Sequence, residues 1–357
     1  MEKRSILFSE KRILPLVAIV TSLVVAGVII AVTGSNPFKA FYALLQGSGL
    51  APKATYAGYK NMLTDFLGYV NFLTPMIFAA LAVAVALRAG LFNIGVSGQM
   101  LVAGFSASVI VGYSSLNAIL AKPLVILIGM AVGGLTGGLL GVLKHRFQVN
   151  EVVSSIMFNY IFQYVISFFI YIFFVDPVSR QSRAISQAAR LTLVDVQAGN
   201  LKMDLPLAVV PALGAVILVW FLFQKTKLGY ELKAVGFSPT GAKYAGIKVG
   251  SSMVTAMTIS GMLAGLAGVS YYLGYVGSIQ PRVLVSTGFD AVAVSLLGGN
   301  HPVGILFATM LISMIGKGST YMKSAAGVDP EIASVIIGII LVFSTCNMMS
   351  LWKRKRR

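Results

Sequence analysis

The chain has 357 residues, 57% of them hydrophobic and 11% charged, where an ordinary soluble chain carries about 25% charged residues. That deficit excludes a water-soluble globule, a disordered chain and a collagen. The net charge of +17 is carried by loops between apolar segments rather than by one basic face, so nucleic acid is not an expected partner. Cys346, His145 and His301 are the whole thiol and imidazole complement, too little for a disulfide framework or a metal site built on those ligands.

In chain order, the apolar runs predict an all-α polytopic membrane protein with about ten transmembrane helices, one or two of them broken or re-entrant. The first run, residues 13–32, follows Lys3, Arg4, Lys11 and Arg12, like the basic head of a signal peptide. It is too long for a cleaved apolar core and reads as an uncleaved first span. The connection Thr33 to Phe66 follows, in which Phe38 to Leu45 suits an interfacial helix. Further runs are Asn71–Leu87, Ile94–Tyr113, Pro123–Leu143, Val152–Val175, Pro206–Phe223, Ser251–Leu273, Val303–Ile315 and Ile332–Leu351. Val283–Leu297, interrupted by Gly288 and Asp290, reads as a broken span or a re-entrant half-helix.

Charge sets the direction. Arg88, Lys144, Arg146, Lys225, Lys227, Lys233, Lys243, Lys248 and the run Lys353–Arg357 fall on the same side as the basic amino terminus. By the positive-inside bias both termini are cytoplasmic, residues 225–250 form a cytoplasmic loop and residues 176–205 an external one. Parity then requires Val283–Leu297 to cross.

Four features point to chemistry. In the cytoplasmic loop Ser238 is an N-cap, Pro239 suits the first helical position and Gly246 a left-handed end. The resulting helix of about two turns is marginal alone in water. It needs a surface: its own membrane domain, or a partner meeting Ala242, Tyr244, Ala245 and Ile247. Glu151, Ser155, Asn159, Gln163 and Ser167 recur every four residues as one polar stripe. The stripe suits either interhelical hydrogen bonding or a solute path. Arg88 to Gln99, with three glycines and Asn93, Ser97 and Gln99, suits an unwound break lining a cavity, or a tight helical hairpin. Gly288-Phe-Asp290 and Gly298-Gly-Asn300-His301-Pro302 bracket the doubtful span. Asp290 suits a ligand, an Arg282 partner or a helix cap, and His301 a turn. Gly129, Gly133, Gly137 and Gly141, like Gly261 and Gly265, form ridges for close helix packing. Gly316–Thr320 lacks the upstream glycine of a phosphate loop. No nucleophile-plus-base set appears, so the chain reads as non-catalytic.

Four passages taken together resemble the permease subunits of bacterial ABC importers of the ribose and branched-chain amino-acid type, particularly the purine-nucleoside (guanosine-type) branch. They are Gly90–Gln99, Asn150–Tyr160, Ala234–Ile247 and Phe289–Pro302, and the likeness covers most of the chain beyond the first span. Phe237 departs from the family, standing at a frequently acidic position. The resemblance implies that residues 1–357 are a single importer transmembrane domain in the bacterial cell membrane. It also implies a second, homologous or identical permease, a cytoplasmic ATPase carrying ATP and Mg, and an external substrate-binding lipoprotein. No cofactor would be bound by this chain. Glu231, Gly236, Ser238, Pro239, Ala242, Tyr244, Ala245 and Gly246 would couple to the ATPase. Asn93, Ser97, Gln99, Ser155, Asn159, Gln163, Asp290 and Asn300 are candidates for the path, where neutral amides with Tyr160 and Tyr164 suit an uncharged nucleoside. The competing readings are a simple sugar such as ribose as cargo, and an ion-coupled secondary carrier. The carrier would want buried acids, and only Asp290 offers itself.

Overall fold

A computed structural model describes residues 19–345. The basic amino-terminal residues, positions 13–18 of the first span, Cys346 and the run Lys353–Arg357 lie outside the described residues. The helices are α1 (Ile19–Val32), α2 (Pro37–Gly47), α3 (Met62–Arg88), α4 (Val96–Ala107), α5 (Ala118–Phe147), α6 (Glu151–Phe169) and α7 (Val209–Lys225), then α8 (Lys227–Phe237), α9 (Pro239–Tyr244), α10 (Val249–Val269), α11 (Thr287–Leu297), α12 (Pro302–Ala326) and α13 (Glu331–Thr345).

Charges at helix ends explain why several helices outrun their apolar cores. Asn61 and Thr64 form a reciprocal capping box at the start of α3, and Asp65 in its first turn pairs with Lys53 at 2.6 Å. The helix therefore begins nine residues before the apolar run that predicts it. Asn117 caps α5 and Asn150 caps α6. α12 continues past Ile315 to Ala326, where Gly327 closes it in a left-handed conformation (φ 69) with its N–H on the Lys323 carbonyl.

Among the described residues five helices are long and apolar enough to cross a membrane alone, or up to seven if each bent pair, α1–α2 (114°) and α7–α8 (75°), counts as one span. The expected count of about ten holds only if the shorter apolar helices α4, α11 and α13 also cross. Within the Val283–Leu297 stretch only α11 is helical, 11 residues or about 16 Å, roughly half an apolar core of ~30 Å. Non-helical backbone precedes it through residues 277–286. The stretch is thus a half-length helix behind an unwound segment, a shape common to a broken span and a re-entrant half-helix. Three helices also loosen at their carboxyl ends: α4, α6 and α10 continue as π-helix over Ser108–Gly112, Ile170–Phe174 and Ser270–Val276.

The core is α3, whose Ile77 to Ala86 are buried to within 1%. It packs on α10, α11, α12 and α7. Beside it α5 and α10 meet along the glycine ridges. A Cβ on Gly265 would lie 1.9 Å from the Gly129 carbonyl oxygen, and one on Gly261 2.1 Å from that of Gly133. Backbones this close leave no room for any side chain. α2, spanning the expected interfacial segment, buries Ala40, Ala43 and Leu44 and leaves Phe38 exposed.

The loop 176–205 carries the one sheet among the described residues, an antiparallel hairpin of β1 (Thr192–Ala198) and β2 (Leu201–Pro206). Its signal is in the sequence: Leu201, Met203 and Leu205 alternate with polar residues after Gly199-Asn200, the period-two pattern of a strand after a turn.

Candidate functional site

Where α3 ends, the chain reverses at Gly90 (φ 72) and stays unwound until α4. Buried backbone free of helix must be satisfied by other groups, and the polar residues of this segment do that. Asn93 Nδ2 donates to Gln99 Oε1 (3.1 Å) and Ser260 Oγ (2.9 Å), while its Oδ1 accepts from the Gly95 N–H. The Ser260 hydroxyl donates onward to the Ala82 carbonyl at 2.6 Å. Asn159 clamps the same segment from α6: its Oδ1 accepts from the Gly98 N–H (2.8 Å) and its Nδ2 donates to the Ile94 carbonyl (3.0 Å). Ser97 Oγ donates to the Val285 carbonyl at 2.9 Å. Asn93, Ser97, Gln99, Ser155 and Asn159 are buried to within 1%, and the Ser155 hydroxyl bonds the Val152 carbonyl of its own helix.

The second unwound stretch, 277–286, runs against the far half of α6. Gln163 Nε2 donates to the Arg282 carbonyl (2.6 Å), the Arg282 N–H donates to Ser167 Oγ (2.7 Å), and that hydroxyl donates to the Gln163 carbonyl (2.5 Å). This closed circuit holds Arg282 at φ 59, a left-handed conformation that costs a non-glycine residue about 1–2 kcal/mol. Gln163 lies about 18 Å along α6 from Glu151, near the middle of the span. The Arg282 guanidinium stands 5.7 Å from the Tyr171 ring. Among the described ion pairs none joins Arg282 to Asp290. Asp290 lies half-buried in the first turn of α11, its backbone N–H donating to the Ser286 carbonyl at 2.9 Å, an acid at a helix N-terminus. Around this circuit the exposed face of α6 carries Tyr160 and Tyr164, its π-helical continuation carries Tyr171, and α11 adds exposed Phe289. α7 exposes Val210, Leu213, Ile217, Leu218 and Phe221, with the Trp220 indole the one polar-edged side chain among its exposed apolar residues.

At the opposite end of the bundle the 225–250 loop folds as two helices. Glu231 lies in α8, paired with Lys227 at 3.7 Å. Ser238 caps α9 through the Gly241 N–H, and Gly246 turns left-handed (φ 79) just beyond it, as the punctuation predicts. Ala242 turns inward and is 4% exposed, so it does not share the outer face with Tyr244, which is 90% exposed. Phe237, at the joint of the two helices, is 94% exposed. A Cβ on Gly236 would lie 2.3 Å from the Arg88 carbonyl oxygen, so α8 rests directly on the turn that starts the first unwound segment. Arg88 Nε donates to the Asn300 carbonyl at 2.8 Å. Asn300, left-handed at φ 54, accepts from Ser295 Oγ and shapes the turn between α11 and α12.

The 176–205 loop is sewn to the second unwound stretch. The Ser182 N–H donates to the Ile279 carbonyl (2.9 Å), Ser278 Oγ to Gln181 Oε1 (2.6 Å), and the Ile185 N–H to the Gly277 carbonyl (3.1 Å). Asp176 opens the loop, and hydrogen bonds from the Val178 N–H and the Ser179 side chain hold its carboxyl below the usual carboxylate range. Sequence reasoning missed Ser260, the partnership of Ser167 with Arg282 and the three π-helical ends. Each depends on a neighbour distant in the chain.

Apolar spans packed around unwound backbone, its polar groups satisfied by side chains from other helices, define a multi-pass solute permease. The chain belongs to the family described as branched-chain amino acid transport system / permease component, whose model matches residues 66–345. It is 33% identical over 350 residues to the nucleoside ABC transporter permease protein NupB of Lactococcus lactis, covering 94% of this chain and 91% of that one. With the guanosine ABC transporter permease protein NupP of Bacillus subtilis it shares 35% over 333 residues, 93% and 92% of the two chains. The glucose ABC transporter permease protein TsgB13 of Haloferax volcanii is 26% identical over 339 residues, 92% and 86% of the two chains. No solved structure matches the chain. The protein is therefore the permease component of an ABC transporter, a non-catalytic membrane subunit of a machine that also employs an ATPase and a binding protein.

Proposed function

We propose that the chain forms one wall of the translocation path of a bacterial importer for a purine nucleoside. The observation that carries this is the Gln163–Arg282–Ser167 circuit: irregular backbone half-way along a candidate span, beside a tyrosine-bearing face. Such backbone is tolerated at that depth where it lines a cavity or meets protein. Tyr160, Tyr164 and Tyr171 offer stacking faces, and Gln163, Asp290 and Ser286 offer hydrogen bonds, a set suited to an uncharged base and ribose. A second permease, identical or homologous, supplies the opposite wall. Asn93, Ser97, Gln99, Ser155 and Asn159 brace the unwound backbone behind the path, and Asn300 braces the α11–α12 turn. The nucleoside and guanosine names of two relatives agree with this cargo; the sugar relative is less similar.

Orientation follows from charge. Both termini and the α8–α9 loop face the cytoplasm, where the ATPase holds ATP and Mg. Phe237 and Tyr244 are the exposed aromatics it grips, and Gly236 carries its motion to the Gly90 turn. On the other side a lipoprotein docks over residues 176–205, whose bonds to Gly277 and Ile279 lead straight into the path. ATP-driven closure then rocks these elements between two states. The test is uptake of labelled guanosine into proteoliposomes holding the permeases, ATPase and binding protein. Uptake should need ATP and be blocked by excess nucleoside but not by ribose. Uptake driven by an ion gradient without ATP, or blocked by ribose alone, overturns the proposal.

A further inference from the structure

A hollow of about 460 Å³ opens beside α9, where α5 ends and α10 begins; its lining includes Lys144, His145, Lys243, Lys248, Gly250 and Met253. Four observations converge on it. The amino terminus of α10 points into it with no side-chain cap, leaving a positive helix end. The His145 ring lies against the same turn, so close that a Cβ on Gly250 would be 1.9 Å from its Cε1. Three lysines surround the hollow, against one acid: Glu151, which pairs with Lys144 at 2.8 Å. The ends of α5 and α6 that carry Lys144 and Glu151 also expose Phe147 and Val153, 66% and 56%, apolar side chains of the kind that meet lipid tails.

We propose that this hollow is a phosphate site for the headgroup of an anionic phospholipid, seated between the α10 amino terminus and Lys243 and Lys248. Helix amino termini and lysines recognise phosphate by the same charge and hydrogen-bond logic, and basic hollows at the cytoplasmic membrane surface gather anionic headgroups. Lys243 belongs to α9 itself. An occupied site would therefore tie the proposed ATPase foot to the α5–α10 seam. Placement in the inner leaflet rests on the orientation proposed above; the binding itself does not.

The experiment is native mass spectrometry of the full-length permease, presented with dioleoyl phosphatidylglycerol, dioleoyl phosphatidylcholine or inorganic phosphate. Phosphatidylglycerol should be retained over phosphatidylcholine. Lys243→Gln with Lys248→Gln should lower its retention about thirtyfold, from the contribution typical of two surface lysines. The Lys243→Arg/Lys248→Arg protein should keep it, which separates lost charge from lost folding. Saturable binding of inorganic phosphate that depends on the same lysines, without retained lipid, keeps the site and makes free phosphate its ligand. Equal retention of both lipids overturns the site, as does an equal loss in a Lys225→Gln/Lys227→Gln control. Protection of Lys243 from amine labelling by the ATPase, but by neither phosphate source, overturns it in favour of a protein contact.

Discussion

Replacing Asn159 by leucine keeps the shape of the side chain and removes both bonds by which α6 holds the first unwound segment. The Gly98 N–H and the Ile94 carbonyl lose their partners at 2.8 and 3.0 Å, at a position 1% exposed. Side-chain hydrogen bonds between membrane helices are worth about 0.6 kcal/mol on average and up to about 1.7, so two of them place the loss at roughly 1–3 kcal/mol. At the middle of that range the folding equilibrium moves about thirtyfold. Unfolding of the purified protein by sodium dodecyl sulfate, followed by helicity, reads this directly, with Ile161→Leu, on the exposed side of α6, as the reference. Because α8 and α9 touch neither lost bond, the ATPase should still co-purify while uptake falls. If Asn159→Leu matches Ile161→Leu in both unfolding and uptake, the clamp is not what holds Ile94–Gly98, and the brace assigned to the buried amides is wrong.

Gln163→Leu opens the circuit at Arg282 and should impair uptake with ATPase binding intact; unchanged uptake removes Gln163 from the path. Tyr244→Asp places a charge on the exposed foot and should uncouple ATP hydrolysis from uptake while membrane levels hold, so full coupling in the variant would exclude this side chain from the contact. Gly265→Ala sets a Cβ 1.9 Å from the Gly129 oxygen and must push α5 and α10 apart by about 1 Å or more, an overpacking cost of about 1–3 kcal/mol; a wild-type melting temperature would refute the close seam. Asp176 has its carboxyl pKa lowered by hydrogen bonds from Val178 and Ser179, so the charged form is the one the folded turn favours. Its contribution is present above the ordinary carboxylate value of about 3.9 and fades only as pH falls through the lowered value. Protease resistance at residues 176–191 should accordingly hold from neutral pH down to about pH 4, and a loss near pH 6 would show that another group governs the loop.

Hydropathy adds up along the chain, which is why the membrane class and the runs that became α3, α5, α6, α10 and α12 could be read from residues alone. Local punctuation worked for the same reason: Ser238, Pro239 and Gly246 act on their own neighbours, and α9 stands where they place it. The polar stripe on α6 was legible as a face, yet its partners were not. Asn159 meets Gly98 across 61 positions, Ser97 meets Val285 across 188, and Gln163 meets Arg282 across 119. Whether a buried amide lines a path or braces a backbone depends on which distant group lies within about 3 Å of it, and no local pattern encodes that distance. Folding alone chose it, by bringing the α5 and α10 ridges into backbone contact and by leaving residues 277–286 as unwound chain that other helices must satisfy.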